Sequence, residues 1–191
     1  MRNGEKPSVE QLESTLRAAR HASNYGKALK STIYSLLVVA AVAILIATLV
    51  MPILHISGSS MTPVIGDGDI AAVIKGHDFD RGDIIAFYYS NKVLVKRVIA
   101  FSGEWVNIDS GGNVYINGEL LDEPYLTDKA FGNCNIKLPY QVPDGKLFVL
   151  GDHRSTSADS RDQIIGSVSD EQVIGKIFLR VWPLNKFGLI N

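Results

Sequence analysis

Three short stretches of this 191-residue chain carry side chains that can do chemistry together. The first is Ser57-Gly58-Ser59-Ser60-Met61-Thr62-Pro63. Glycine and serine in a row describe a solvated linker. The apolar flanks Met61, Val64 and Ile65 describe something else: hydroxyls set beside a buried surface, with a serine next to a glycine able to approach a substrate backbone closely.

The second stretch is Lys92-Val93-Leu94-Val95-Lys96-Arg97-Val98-Ile99-Ala100-Phe101. Side chains alternate across a strand, so Lys96 is expected to share a face with Leu94, Val98 and Ala100. Arg97 is expected to share the other with Val93, Val95, Ile99 and Phe101. Both faces are apolar. An ammonium buried without a partner escapes through a lowered pKa, and an amine neutral near pH 7 is a general base. A guanidinium has no such escape, so Arg97 requires a carboxylate. The alternative is an edge strand whose basic tips reach solvent.

The third is Gly151-Asp152-His153-Arg154-Ser155-Thr156-Ser157-Ala158-Asp159-Ser160-Arg161-Asp162, directly after the apolar run Leu147–Leu150. It is either an ordinary polar loop after a strand or an ordered wall of hydroxyls, carboxylates and guanidinium groups. His153 invites a Ser-His-Asp triad. Nothing in the sequence places its imidazole near Ser60, and the lysine pattern offers a better base.

These groups need a framework, and the sequence supplies one of strands. Ile70–Ile74, Ile84–Tyr89, Val93–Phe101, Val114–Ile116, Leu147–Leu150 and Val173–Val181 are short and rich in Val, Ile, Phe and Tyr, with Gly, Asp and Asn between them. Asn117-Gly118 marks a two-residue hairpin turn between Val114–Ile116 and Glu119-Leu120-Leu121. Asn91-Lys92 is expected to form another turn. Residues 109–143, richer in Gly, Pro and Asn, read as an excursion from the main sheet.

Ahead of the strands lies a different segment. No Asp, Glu, Lys or Arg occurs from Ser31 to Gly66, and in the 19 residues Leu36–Leu54 only Thr48 is polar. As helix that run spans about 28 Å, close to the hydrocarbon thickness of a bilayer. A buried core helix seldom runs so long without a polar face. A cleavable signal peptide has a shorter apolar region and a small-x-small exit, whereas this run leaves through Met51-Pro52-Ile53-Leu54-His55. The reading is an uncleaved anchor over 31–55. Residues 1–30 hold six bases and three acids, the remainder 13 bases and 17 acids. The positive-inside tendency then puts 1–30 in the cytoplasm and residues 56–191 outside. Val9, Leu12, Leu16 and Ala19 fit a short amphipathic helix before the membrane, or a flexible arm.

Composition narrows the classes further. With 19 Lys+Arg against 20 Asp+Glu, the chain lacks the basic excess of a nucleic-acid binder. Its apolar content of 46% is too high for a disordered chain. Cys134, the single cysteine, excludes an intrachain disulfide and a multi-cysteine zinc site. No cofactor and no metal are expected.

Together the anchor, Gly58-Ser59-Ser60-Met61-Thr62-Pro63, Arg81-Gly82-Asp83-Ile84, Lys96-Arg97 and Gly151-Asp152 through Ser157-Ala158-Asp159-Ser160-Arg161 resemble bacterial type I signal peptidase, a Ser/Lys serine protease family. Order and separation agree over nearly the whole chain. The resemblance implies a mainly β fold, an antiparallel β domain like that of signal peptidases and self-cleaving repressors, preceded by one transmembrane helix. It implies a membrane-bound endopeptidase that removes signal peptides from exported preproteins after small residues at the first and third positions before the cut. Ser60 maps to the nucleophile and Lys96 to the general base. Ser157 maps to a base-orienting serine, and Arg97, Asp152, Asp159 and Arg161 to ion pairs that shape the site. Ile56, Met61, Ile65 and Val95 match the substrate-pocket positions. The implied partners are preproteins and membrane lipid, with no nucleic acid. Gly58 departs from members that carry a serine there as an oxyanion donor, and His153 and Ser155-Thr156 also depart from the common pattern. Three rival readings each meet a contrary feature: a non-catalytic anchored β domain, which loss of Ser60 or Lys96 would favour although both are present; a self-cleaving repressor or polymerase-accessory protein, against which the anchor argues; and a Ser/His signal peptidase, which would carry His where Lys96 stands.

Overall fold

The computed structural model describes residues 8–190 and divides into two compact units between Ala47 and Thr48. One helix, α1, runs Val9–Val50. Within it Gly26–Ala47 has a mean hydropathy of 2.2 and is long and apolar enough to cross a membrane. Leu36 is 64% exposed and Val39 and Ile44 are similarly open, so this run is not a packed core helix. The helix also takes in the stretch read as a short amphipathic helix or arm. Arg2, Glu5 and Lys6 of the basic segment lie outside the described residues, as do the side chains of Leu16 and Ala19. The helix stops sooner than the anchor expected over 31–55. Pro52 disfavours helix at the residue before it and cannot donate an N–H, and Ile53–His55 form a strand, β1, instead.

The second unit is mainly antiparallel β. In chain order β1 is followed by β2 (Ile70–Lys75), β3 (Ile84–Tyr89), β4 (Lys92–Ala100), β5 (Trp105–Ile108), β6 (Val114–Ile116) and β7 (Glu119–Leu120). Then come β8 (Tyr140–Gln141), β9 (Lys146–Leu150), β10 (Val168–Ser169), β11 (Val173–Trp182) and β12 (Gly188–Leu189). The main sheet has the order β1-β2-β11-β3-β4-β9-β10, with β12 on β11. A second sheet, β7-β6-β5-β8, is built wholly from residues 105–141, so the excursion is a small sheet of its own.

Burial on both faces of the main sheet explains its unbroken apolar strands. Ile84 and Ala86 pack with Met61, Ile65, Val73 and Ile177, whereas Ile85 and Phe87 pack with Val98, Leu147 and Val149. A third cluster, Ile99, Val106, Val114, Phe148 and Leu150, joins the second sheet to the first. Two local expectations need correction. The β3–β4 turn is Ser90-Asn91, not Asn91-Lys92, because Tyr89 pairs with Lys92 and Ser90 takes the positive φ of 51° that the tight turn requires. The alternation along β4 also breaks. The register shifts between Val98 and Ala100, so Ala100 joins the cluster of Ile99, and Phe101 packs with Val98. The Asn117-Gly118 turn forms as expected, pairing Ile116 with Glu119 and giving both turn residues positive φ.

Candidate active site

Ser60 sits on the loop between β1 and β2. The ends of that loop are tied by Ile56 N–H donating to the Asp69 carbonyl (2.8 Å) and Gly68 N–H to the Ile56 carbonyl (3.0 Å). Asp67 Oδ1 accepts from the Gly58 N–H at 2.7 Å. The Arg180 guanidinium on β11 donates to the Val64 carbonyl and pairs with Asp69 at 3.1 Å. The loop is thus clamped to the sheet at several points, and its serine is fixed in place rather than carried on a free linker.

Lys96, in the middle of β4 and opposite Ile85, is 3% exposed. Its Nζ lies 2.7 Å from Ser60 Oγ. Burial is the main force on the amine and pushes its pKa below the ordinary 10.5. The Asp159 and Asp152 carboxylates push the other way, and the Arg161 guanidinium lowers it further. Both carboxylates are already committed. Arg97 binds Asp152 through Nε to Oδ1 (2.9 Å) and Nη2 to Oδ2 (2.8 Å). Arg161 binds Asp159 through Nε and Nη2, each at 2.8 Å. All four side chains are essentially inaccessible. Two bidentate ion pairs beside Lys96 therefore consume the counter-charge that would otherwise hold it as an ammonium.

The Arg81-Gly82-Asp83-Ile84 motif supports this strand from behind. Gly82 N–H and the Asp83 carbonyl bond the Val98 carbonyl and N–H (2.9 and 2.8 Å), and the Gly82 carbonyl accepts from Arg97. Arg81 pairs with Glu104 at 2.6 Å.

Ser157 and Gly151 close the wall. A β-carbon on Gly151 would fall 2.1 Å from Ser157 Oγ and 2.6 Å from the Ser60 carbonyl oxygen, so only glycine fits between them. Ser157 Oγ is buried and makes no hydrogen bond, so the orienting contact with Lys96 that the resemblance implies is not formed here. His153 is nearer than the sequence reading placed it. Its backbone N–H donates to the Ser60 carbonyl at 3.1 Å, and its Nδ1 lies 3.4 Å from Thr62 Oγ1. The imidazole thus meets Thr62 rather than the Ser60 hydroxyl, to which Lys96 is bonded.

A cleft of about 130 Å³ opens beside Ser60 and Lys96. Ile56, Met61 and Val95 line it, joined by Leu54, Val93 and Leu94. Ile65 does not. It is fully buried one turn after Met61, whose carbonyl accepts its N–H at 2.8 Å, and so forms the floor under the loop. Among the described residues no group of three or more His, Cys, Asp or Glu is placed to hold a metal ion.

Sequence reasoning missed a third buried ion pair, Arg154–Glu123. Arg154 also donates from Nε to the Gly151 carbonyl at 3.0 Å, and Tyr125 OH donates to Glu123 at 3.1 Å. The Tyr125 ring stacks 3.8 Å from the Arg97 guanidinium carbon. Burial, and then the Glu123 charge, raise the Tyr125 pKa, so the phenol stays protonated as a donor. One signal was present: Arg154 had no carboxylate assigned to it within its own loop.

The arrangement can activate a hydroxyl with an unprotonated amine. Comparison with known proteins identifies a family. The family model for signal peptidase, peptidase S26, matches residues 29–182. Signal peptidase IB of Staphylococcus aureus is 32% identical over 181 residues, covering 84% of this chain and 93% of that protein. A probable signal peptidase I-2 of Synechocystis sp. is 34% identical over 161 residues, covering 78% and 71%. A crystal structure of a signal peptidase I from Enterococcus faecalis is 32% identical and covers 52% of this chain and 96% of that one, with a TM-score of 0.45.

Proposed function

The chain belongs to the signal peptidase family, peptidase S26, as a type I signal peptidase, and we propose that Ser60 is its nucleophile and Lys96 its general base. The observation that carries this is the 2.7 Å contact between Ser60 Oγ and a buried Lys96 Nζ whose counter-charges are already paired. Neutral Lys96 takes the Ser60 proton as Oγ attacks the scissile carbonyl carbon. The Ser60 N–H donates to the oxygen as it becomes an oxyanion. Collapse expels the amine of the mature protein, which takes the proton back from Lys96. Lys96 then removes a proton from water as the water oxygen attacks the acyl carbon, and collapse frees the signal peptide's new carboxyl end and returns that proton from Lys96 to Ser60 Oγ. Ser157 keeps the base-orienting role that the resemblance gives it only if its buried hydroxyl, uncommitted beside Gly151, turns to the Lys96 amine. Arg97–Asp152 and Asp159–Arg161 keep the amine without a counter-ion. The small cleft walled by Ile56, Met61 and Val95 suits small side chains at the first and third positions before the cut.

The pH dependence follows from the direction of the Lys96 shift. The amine works only when neutral, and burial brings its pKa below 10.5. kcat/KM is expected to rise with pH along a single-proton limb and to level off before that ordinary value. A profile still climbing at pH 10.5 contradicts a buried base.

The apolar helix and the family together fit a membrane-anchored enzyme. We further assign residues 1–30 to the cytoplasmic side and the β domain to the outside, on the charge asymmetry. Tethering at the surface where signal peptides emerge raises the effective concentration of both partners. Protease added to intact spheroplasts is expected to digest the β domain and spare residues 1–30; protection of the β domain reverses the orientation.

A further inference from the structure

With Ser60 as nucleophile, position 58 offers no hydroxyl to the oxyanion. Gly58 carries no hydroxyl, and its N–H is spent on Asp67 Oδ1 at 2.7 Å. The Ser60 N–H therefore bears more of the work, and its direction matters more. A peptide unit is planar and trans, so the Ser60 N–H points opposite to the Ser59 carbonyl. Whatever holds that carbonyl aims the N–H.

The Ser59 carbonyl is held twice by one residue. Thr62 N–H donates to it at 3.1 Å, closing a turn, and Thr62 Oγ1 donates to it at 2.7 Å. A hydroxyl has one proton. With that proton given to Ser59, Thr62 Oγ1 is left as an acceptor, and His153 Nδ1 stands 3.4 Å away, a donor to it in the tautomer that carries its proton there. The next peptide unit is fixed independently, by His153 N–H on the Ser60 carbonyl at 3.1 Å. Both peptide planes of Ser60 are thus pinned.

We propose that the Thr62 hydroxyl is a positioning residue for the oxyanion hole, aiming the Ser60 N–H by anchoring the Ser59 carbonyl. The inference rests on Ser60 being the nucleophile. It concerns transition-state binding only: Thr62 exchanges no proton and need not touch the substrate.

The test uses the full-length enzyme in detergent micelles with a signal-peptide substrate. Thr62→Val keeps the shape and branching of the side chain and deletes the hydroxyl. It is expected to lower kcat on the order of tenfold with KM nearly unchanged, less than the roughly 10²–10³ that loss of an oxyanion donor costs outright. Thr62→Ser is expected to restore most of kcat, since it returns the hydroxyl. A substrate-like peptide aldehyde, which forms an oxyanion with a serine, should lose affinity for Thr62→Val by the same factor. An uncleavable peptide with proline after the cut should not. Thr62→Ala gives the same comparison if the valine variant folds poorly. An unchanged kcat, a loss that serine does not rescue, or equal loss of both inhibitors overturns the proposal. Ser60→Ala is assayed alongside: retained cleavage there removes the nucleophile reading itself, whereas a dead Ser60→Ala with a fully active Thr62→Val removes only the role given to Thr62.

Discussion

Ser60→Ala and Lys96→Ala are each expected to abolish signal-peptide cleavage while the β domain stays folded. The first deletes the attacking oxygen. The second leaves that oxygen with its proton and no acceptor within reach, since the Lys96 amine is the group 2.7 Å from it. Loss of a positioned general base alone costs about 10²–10⁴-fold, and loss of a nucleophile about 10⁶-fold in a well-measured serine protease. Lys96→Arg is the sharper variant. It keeps a cation of similar reach, but guanidinium stays protonated at any working pH and cannot accept the Ser60 proton. It is therefore expected to be as inactive as alanine. His153 is not expected to substitute, because its ring is engaged with Thr62 and its backbone, not its imidazole, meets Ser60.

Arg97→Ala is expected to produce the largest loss of stability among the single changes considered. Arg97 is 1% exposed and gives Asp152 both of its ion-pair hydrogen bonds. Alanine would leave a carboxylate buried without a partner, the Gly82 carbonyl without its donor and the Tyr125 ring without its cation. Breaking one side of a buried pair costs roughly 3–5 kcal/mol. In a domain of this size that lowers the melting temperature by about 10 °C. Lys96 feels the change too, because an unpaired Asp152 would stabilise its ammonium and raise its pKa. Any activity left in a folded Arg97→Ala enzyme should have its acid limb moved to higher pH. An unchanged melting temperature would contradict the pairing.

Much of this site was legible because each of its parts is a short local motif, and the family resemblance supplied which motifs meet across 36 and 55 positions. The strand that carries Lys96 and Arg97 and the strand that leads into Gly151 are largely apolar runs whose boundaries moved by a residue at most. The need of Arg97 for a carboxylate followed from burial alone, and Asp152 meets it. What could not be read has a common cause: it depends on contacts between residues that no motif marks or on short backbone irregularities. Glu123, in the excursion, pairs with Arg154, 31 positions later, and no spacing rule marks that pair. The short strands β1, β8, β10 and β12, two or three residues each, exist through their partners rather than through intrinsic propensity. The register shift at Val98 moves Ala100 and Phe101 to the faces opposite those expected, and no glycine or proline stands there to announce it. Ile65 was placed among the pocket residues by resemblance, yet the turn that begins at Met61 carries it into the core. The anchor was overextended because Ile53 and Leu54 are as apolar as the helix before them. Pro52 was the residue that mattered.

The central claim is that neutral Lys96 takes the proton of Ser60 during cleavage of a signal peptide. The most direct test incubates purified full-length enzyme and its Lys96→Arg variant with the same preprotein and reads the new amino terminus of each product by mass spectrometry. The account predicts one cut by the wild-type enzyme, following small residues at the first and third positions before the bond, and no product from Lys96→Arg. The same cut made by Lys96→Arg at a comparable rate would contradict it.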